Sequence, residues 1–268
     1  MNSDDPLTQL RPAINPYLRA AHLLSARLKW DINPESFRSR AKLRRWAGRY
    51  PGQSAVILCN GPSLNKVDFD ALRGIFCFGL NKINLLFERT SFRPNCVTAI
   101  NRFVIEQNAD FFNETDLPLF LNRTGTGLVR SRSNVAFLDT CGIQKFARDV
   151  SISVYESNTV TFVALQLAFH MGFREVALVG ADHNFATKGP ANKVAISGNV
   201  DESHFDPRYF SGGQRWELPD LFQSEVGYTM ARDVYAAFGG RVVNCTDGGK
   251  LDVFDRMPLG AFLANRKA

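Results

Sequence analysis

Ala55-Val56-Ile57-Leu58-Cys59-Asn60-Gly61-Pro62-Ser63-Leu64 is a continuous apolar run that stops on asparagine and passes into a glycine–proline turn. A run this short, apolar at every position, reads as a strand buried on both faces, as in a parallel sheet. The pattern then repeats. Ile75–Leu80 is followed by Asn81, Cys96–Ile100 by Asn101, and Leu117–Leu121 by Asn122. A fifth run, Glu175–Gly180, ends on Ala181-Asp182-His183. Open parallel sheets bind ligands beyond the carboxyl ends of their strands. A row of amides there would read the polar edges of one small molecule. The plainer alternative is that asparagine ends strands well, because it accepts turn geometry and bonds its own backbone.

Outward from these strands the pattern alternates. Short helical segments are expected at residues 68–73, 82–88 and 104–112, and a further strand at 134–138. Residues 143–158 have no period. From Thr159 an apolar face recurs at Phe162, Leu165, Leu167, Ala168 and Met171, and Gly172 is a stop signal. A long amphipathic helix is expected over 223–238 and a last strand over 241–245. Residues 183–220 are rich in Gly, Asn, Ser, Asp and Pro, the composition of a functional lid. The predicted fold is α/β: a Rossmann-like, mostly parallel sheet with helices on both faces, an N-terminal helical extension (residues 1–50) and a catalytic domain (51–268) carrying the lid.

The chain has 268 residues, 45% of them hydrophobic, enough for one sizeable core. No apolar run is long enough to span a bilayer, and no secretory signal pattern opens the chain. Five cysteines, mostly inside apolar strands, fit a reduced cytoplasmic protein. No Cys-x-x-Cys or His-x-x-x-His pair offers a zinc site, so no metal is expected. The net charge of +6 belongs to residues 1–50, which hold 10 Lys/Arg against 4 Asp/Glu. There Leu18, Ala21, His22, Leu24 and Leu28 recur at helical spacing, and Asn33-Pro34 marks a break. A basic amphipathic helix lies on an anionic membrane surface or packs as an ordinary solvated helix on the body. Peripheral attachment at the inner face of the membrane is therefore open. Nucleic acid is not an expected partner, because the rest of the chain is neutral. Oligomeric state is not indicated.

Asn60-Gly61-Pro62-Ser63-Leu64, then Asn81 and Asn101, resembles the nucleotide-binding side of the bacterial sialyltransferases that use cytidine monophosphate (CMP)-activated sialic acid. Thr159 to Asp182 and Ser203-His204-Phe205 follow in that family's order, so the resemblance covers about residues 54–246. The Gly-Pro-Ser-Leu and Gly-Ala-Asp elements are also similar to the wider 6-hydroxymethylpterin diphosphokinase-like family, many of whose bacterial members look like surface-glycan proteins. The resemblance implies inverting, metal-independent transfer of a sugar acid from a CMP-activated donor to a glycan acceptor in surface polysaccharide biosynthesis. The sugar acid is sialic acid, a related nonulosonate or 3-deoxy-octulosonate. His204 is the implied base, with His183 and Asp182 as further catalytic candidates. Asn60, Gly61 through its amide, Pro62, Ser63, Asn81, Asn101, Thr159 and Gly180 would hold the nucleotide.

One departure stands out. The family places tyrosines just after the Gly-x-Asp segment, whereas this chain reads His183-Asn184-Phe185-Ala186. His183, Lys188, Arg208 or Tyr209 are the candidates to replace them. Two rival readings remain. One is a pyrophosphoryl transferase using ATP and magnesium, with Asp182 near the phosphates. The other is a catalytically silent nucleotide-binding module.

Overall fold

The computed structural model describes residues 15–185 and 189–266. Two helices open the chain, α1 (Pro16–Asp31) and α2 (Pro34–Arg44). Asn15 and Asn33 cap them, and each is followed by proline at the first helical turn, where a missing N–H costs nothing. The break expected at Asn33-Pro34 is the boundary between them. Then come β1 (Ser54–Leu58), β2 (Phe76–Leu80), β3 (Cys96–Ala99), α3 (Arg102–Gln107), α4 (Ala109–Glu114), β4 (Leu119–Asn122) and β5 (Val135–Leu138). The chain continues through α5 (Val160–Met171), β6 (Glu175–Val179), β7 (Val194–Ile196), β8 (Arg215–Glu217), α6 (Leu221–Ala237), β9 (Arg241–Asn244) and α7 (Leu259–Ala264).

Seven strands form one all-parallel sheet in the order β5-β4-β3-β2-β1-β6-β9. The expected Rossmann-like α/β fold is the observed one. Both faces are buried, which is why the central strand residues are almost all apolar and polar ones such as Glu175, Arg241 and Asn122 sit at strand ends. Ala55 and Ile57 point to one core with α5, α6 and Leu43 of α2. Val56 and Leu58 point to the other, with Ile83, Val104, Phe112 and Phe262. Helix α5 is buried nearly all round, so its pattern lacks a polar face. Gly172 ends it with a left-handed φ of 103°.

Three expectations need correction. Residues 68–73 and 82–88 hold only 3-10 turns, Asp70–Leu72 and Ile83–Glu88, because such short segments cannot repay helix nucleation. The helix expected over 104–112 is broken at Asn108 into α3 and α4. The lid, expected to be without regular structure, contains the antiparallel pair β7–β8.

The N-terminal helices are integral to the packing. Strand β5 is a sheet edge, and α2 covers it. The Phe137 amide donates to Ser39 Oγ at 2.9 Å, and Lys42 Nζ donates to the carbonyls of Val135 and Arg132 at 2.7 Å each. Side chains thus satisfy edge groups that would otherwise invite another strand. The five cysteines are free, four of them buried. Among the described residues no helix is long and apolar enough to cross a membrane.

Candidate functional site

The chain builds β1 to β5 outward in one direction, then returns to lay β6 on the other side of β1. That reversal is a topological switch point, where open α/β sheets bind ligands. A cavity of about 610 Å³ lies there, at the carboxyl edge. Asn60, Asn81, Asn101 and Asn122, from the ends of four neighbouring strands, all line it.

The four amides divide into two kinds. Asn101 Oδ1 caps α3 through the Phe103 amide at 2.9 Å, and its Nδ2 donates to Glu217 Oε2 at 2.8 Å. Asn122 Oδ1 accepts the Thr124 amide at 2.9 Å, and its Nδ2 donates to Glu156 Oε1 at 2.7 Å. These two do the ordinary strand-end work of asparagine. Asn60 and Asn81 differ: Oδ1 of each is enclosed and has no hydrogen-bond partner among the described residues. Buried acceptors are almost always paired, and leaving one unmade is costly. Both residues line the same switch-point cavity, while the oxygens themselves have almost no accessible surface and the Tyr209 hydroxyl, also unpartnered, faces Asn81.

The turn after β1 has a different job from the phosphate cradle its sequence implies. The Gly61 amide donates to Gly180 O at 2.9 Å. Ser63 donates through its hydroxyl to Asp182 Oδ2 at 2.6 Å and through its amide to the same carboxylate at 3.3 Å. Pro62 has no N–H, and the Leu64 amide returns to Gly61 O at 3.0 Å. The amides of Gly61 and Ser63 are therefore spent on clamping the turn to the end of β6 and that of Leu64 on closing the turn itself, and Ser63 and Pro62 do not line the cavity. Asp182 caps this turn, the alternative to a catalytic carboxylate. Glycine is needed at position 61 because an added Cβ would meet the Asp182 carboxylate at 2.0 Å and Gly180 O at 2.7 Å. Gly180 lines the cavity wall with φ 72°.

The better anion site is the N-terminus of α5. Thr159, Val160 and Thr161 line the cavity, and α5 runs for 12 residues, long enough for aligned amides to favour negative charge. Thr159 Oγ1 caps the Thr161 amide at 3.3 Å and pairs with the Tyr228 hydroxyl at 3.1 Å. Tyr228 comes from α6 and lines the same cavity; burial pushes its phenol up to about 12. The backbone around this cavity is strained in a recurrent way. Among the described residues, the non-glycine residues with left-handed φ are Asn81, Ser157, Asn158, His183 and Asn192. All but Ser157 line the cavity, and Ser157 adjoins Asn158. Such conformations concentrate at functional sites.

His183 and His204 both line the cavity, whereas His22 is exposed outside it and His170 bonds Leu43 O at 3.0 Å. His183 Nε2 pairs with Glu225 Oε1 at 2.9 Å. His204 Nδ1 pairs with Asp201 Oδ2 at 2.8 Å, and its ring stacks on Tyr209 with centroids 4.0 Å apart. Burial works to raise the Asp201 carboxyl. The His204 hydrogen bond and charge, with the Ser203 and Phe210 amides, outweigh it and hold the group below the usual carboxylate range. His204 thus has Nδ1 held by a carboxylate while the residue lines the cavity.

Of the candidates to replace the family's tyrosines, Tyr209 is buried under His204, and its hydroxyl faces Asn81 without closing a well-formed hydrogen bond. Arg208 points away, to Asp206 at 3.0 Å and Glu88 at 3.0 Å. Lys188 lies outside the described residues. Sequence reasoning missed Tyr228, Asp201, Glu156 and Glu217. The Asp201–His204 spacing of one helical turn was a usable signal; nothing in the pattern marked the others. Burial raises the Glu156 carboxyl and nearby Glu217 adds to this, against hydrogen bonds from Thr140 and Asn122. Lys82, lowered to about 8 by burial, ties the lid to the sheet by donating to Tyr209 O at 2.6 Å and Gln214 Oε1 at 2.9 Å. Among the described residues no group of three His, Cys, Asp or Glu side chains is placed to hold a metal ion.

No protein-family model matches the sequence, and no curated protein is significantly similar to it. Among solved structures, a MAf glycosyltransferase from Magnetospirillum magneticum AMB-1 aligns at 16% identity with a TM-score of 0.48. The alignment covers 84% of this chain, which spans only 38% of that one.

Proposed function

We propose that the protein is a glycosyltransferase that moves a sugar acid from a CMP-activated donor to a glycan acceptor, in the making of a surface polysaccharide. The observation that carries the proposal is the pair Asn60 and Asn81, with unpartnered amide oxygens, lining a switch-point cavity between a helix N-terminus and an oriented histidine. The ribose hydroxyls and the cytosine amine supply the donors that these oxygens lack. The phosphate goes to the N-terminus of α5, where the Thr159 and Thr161 amides already serve Glu156 O and Thr159 Oγ1 and the Val160 amide is left to meet it, and the helix dipole stabilises the charge that grows as the bond to the sugar breaks. Tyr228 takes the part that the sialyltransferase resemblance gives to tyrosines after the Gly-x-Asp segment, reaching the phosphate from α6. His204 Nε2 accepts the proton of the attacking acceptor hydroxyl while Asp201 steadies the imidazolium that forms. Attack from the face opposite the leaving phosphate inverts the anomeric centre. Binding the phosphate on a helix N-terminus and a phenol needs no metal ion.

The test is release of CMP from CMP-sialic acid, CMP-3-deoxy-octulosonate and related donors, in the presence of a chelator. Steady release from at least one of them is expected. Tyr228→Phe should slow it by about 10²-fold, the scale for loss of one donor to a leaving group. No CMP release, with AMP formed instead from ATP when magnesium and a pterin are present, would replace this reading by pyrophosphoryl transfer.

A further inference from the structure

Helix α1 is amphipathic in an unusual sense: it has two apolar sides. Leu23, Ala26, Arg27 and Trp30 recur at helical spacing and face the body, Trp30 being buried. The opposite side carries Tyr17, Leu24, Leu28 and, just past the helix end, Ile32. Leu24, Leu28 and Ile32 are 65%, 61% and 76% exposed. Among the described residues nothing covers them.

Charge singles out what does. Among the described residues up to Tyr50, every exposed charged residue is a cation: Arg19, Lys29, Arg38, Arg44, Arg45 and Arg49. Of the two acids, Glu35 is buried against Arg38 and Lys42, and Asp31, a third exposed, is paired with Arg27 and Arg40. An exposed leucine stripe on a segment whose exposed charges are all positive suits an anionic bilayer, where apolar side chains enter the headgroup boundary and cations meet lipid phosphates. It suits a second copy of the chain poorly, because a two-fold interface would bring like charges together.

The helix is also fastened to the cavity rim. Arg27 donates to Asp139 Oδ2 at 2.8 Å and to Ile152 O at 2.6 Å. Arg123 donates to Ala26 O at 3.1 Å and pairs with Asp139 Oδ1 at 2.8 Å. Asn122, Thr124 and Thr140, the chain neighbours of Arg123 and Asp139, line the cavity.

We propose that the outward side of α1 seats the protein on an anionic lipid surface, holding the β4–β5 side of the cavity about one helix diameter, roughly 10 Å, from the bilayer. The contact does not depend on which reaction the cavity performs. Co-sedimentation of the full chain with phosphatidylglycerol–phosphatidylcholine vesicles and with phosphatidylcholine alone tests it. Binding is expected to the anionic vesicles, falling steeply as salt is raised. Leu24→Glu/Leu28→Glu should weaken it at least about 10-fold, with circular dichroism, melting temperature and CMP binding unchanged. Point variants are chosen because deleting the segment would also uncover β5. Equal sedimentation with both vesicle types, or undiminished binding by the double variant, would overturn the proposal. So would a lipid-free dimer that the double variant dissociates.

Discussion

His204 has one ring nitrogen paired with Asp201 and lines the cavity, and its proposed role as base rests on that pairing. His204→Ala should slow donor turnover by about 10²–10⁴-fold, the scale of a positioned base. Donor affinity should change little, and the acidic limb of the pH–rate profile should vanish, since protonated imidazole accepts no proton. Asp201→Asn should also slow turnover strongly, because the carboxylate that orients the ring and steadies the imidazolium is gone, while an acidic limb remains with the imidazole still present. A His204→Ala enzyme with near wild-type turnover would move the role to His183. At this scale the sequence was legible only in part. Asn60, Asn81 and His204 announced themselves by position, but Asn101 and Asn122 looked identical to Asn60 and Asn81. Whether an amide is spent on a cap or kept for a ligand depends on where Glu217 and Glu156 fall, and those come from a lid and a loop with no period.

The element that decides the site's shape is the turn after β1, together with the end of β6. Gly180 has φ 72°, and an added Cβ would stand 2.7 Å from Cys59 O, which is backbone and cannot give way. Gly180→Ala should therefore destabilise the fold by about 2–4 kcal/mol, joining a left-handed alanine to a clash. Gly61→Ala meets a backbone oxygen at the same distance, Gly180 O at 2.7 Å, and also displaces the Asp182 carboxylate from Ser63, so it should destabilise the fold by a similar amount. Urea unfolding measures both; wild-type stability of either variant would contradict this reading. The strands and α5 were plain in the sequence, because burial on both faces leaves continuous apolar runs and Gly172 a clear stop. The short 3-10 turns were not, since their apolar residues share the helical spacing. The Gly-Pro-Ser turn was recognisable as a ligand-side element, yet its amides serve the β1–β6 clamp; sequence shows which donors exist, not which acceptor reaches them first.

For the whole molecule, the order of apolar runs predicted the parallel sheet and its carboxyl edge. It did not predict that the basic N-terminal segment both covers the β5 edge and fastens to the cavity rim, because those contacts bridge about 90 to 125 residues of chain. The central claim is that the carboxyl-edge cavity takes a cytidine nucleotide through Asn60, Asn81 and the α5 N-terminus. Thermal unfolding with CMP in the presence of a chelator measures this most directly. At about 100 times its dissociation constant CMP should stabilise the fold by about 2.7 kcal/mol, a rise of roughly 5–10 °C. Asn60→Ala/Asn81→Ala should abolish most of that rise while the ligand-free melting temperature stays within a few degrees. No shift with CMP, alongside a clear one with ATP and magnesium that survives the Asn60 and Asn81 changes, would contradict the account.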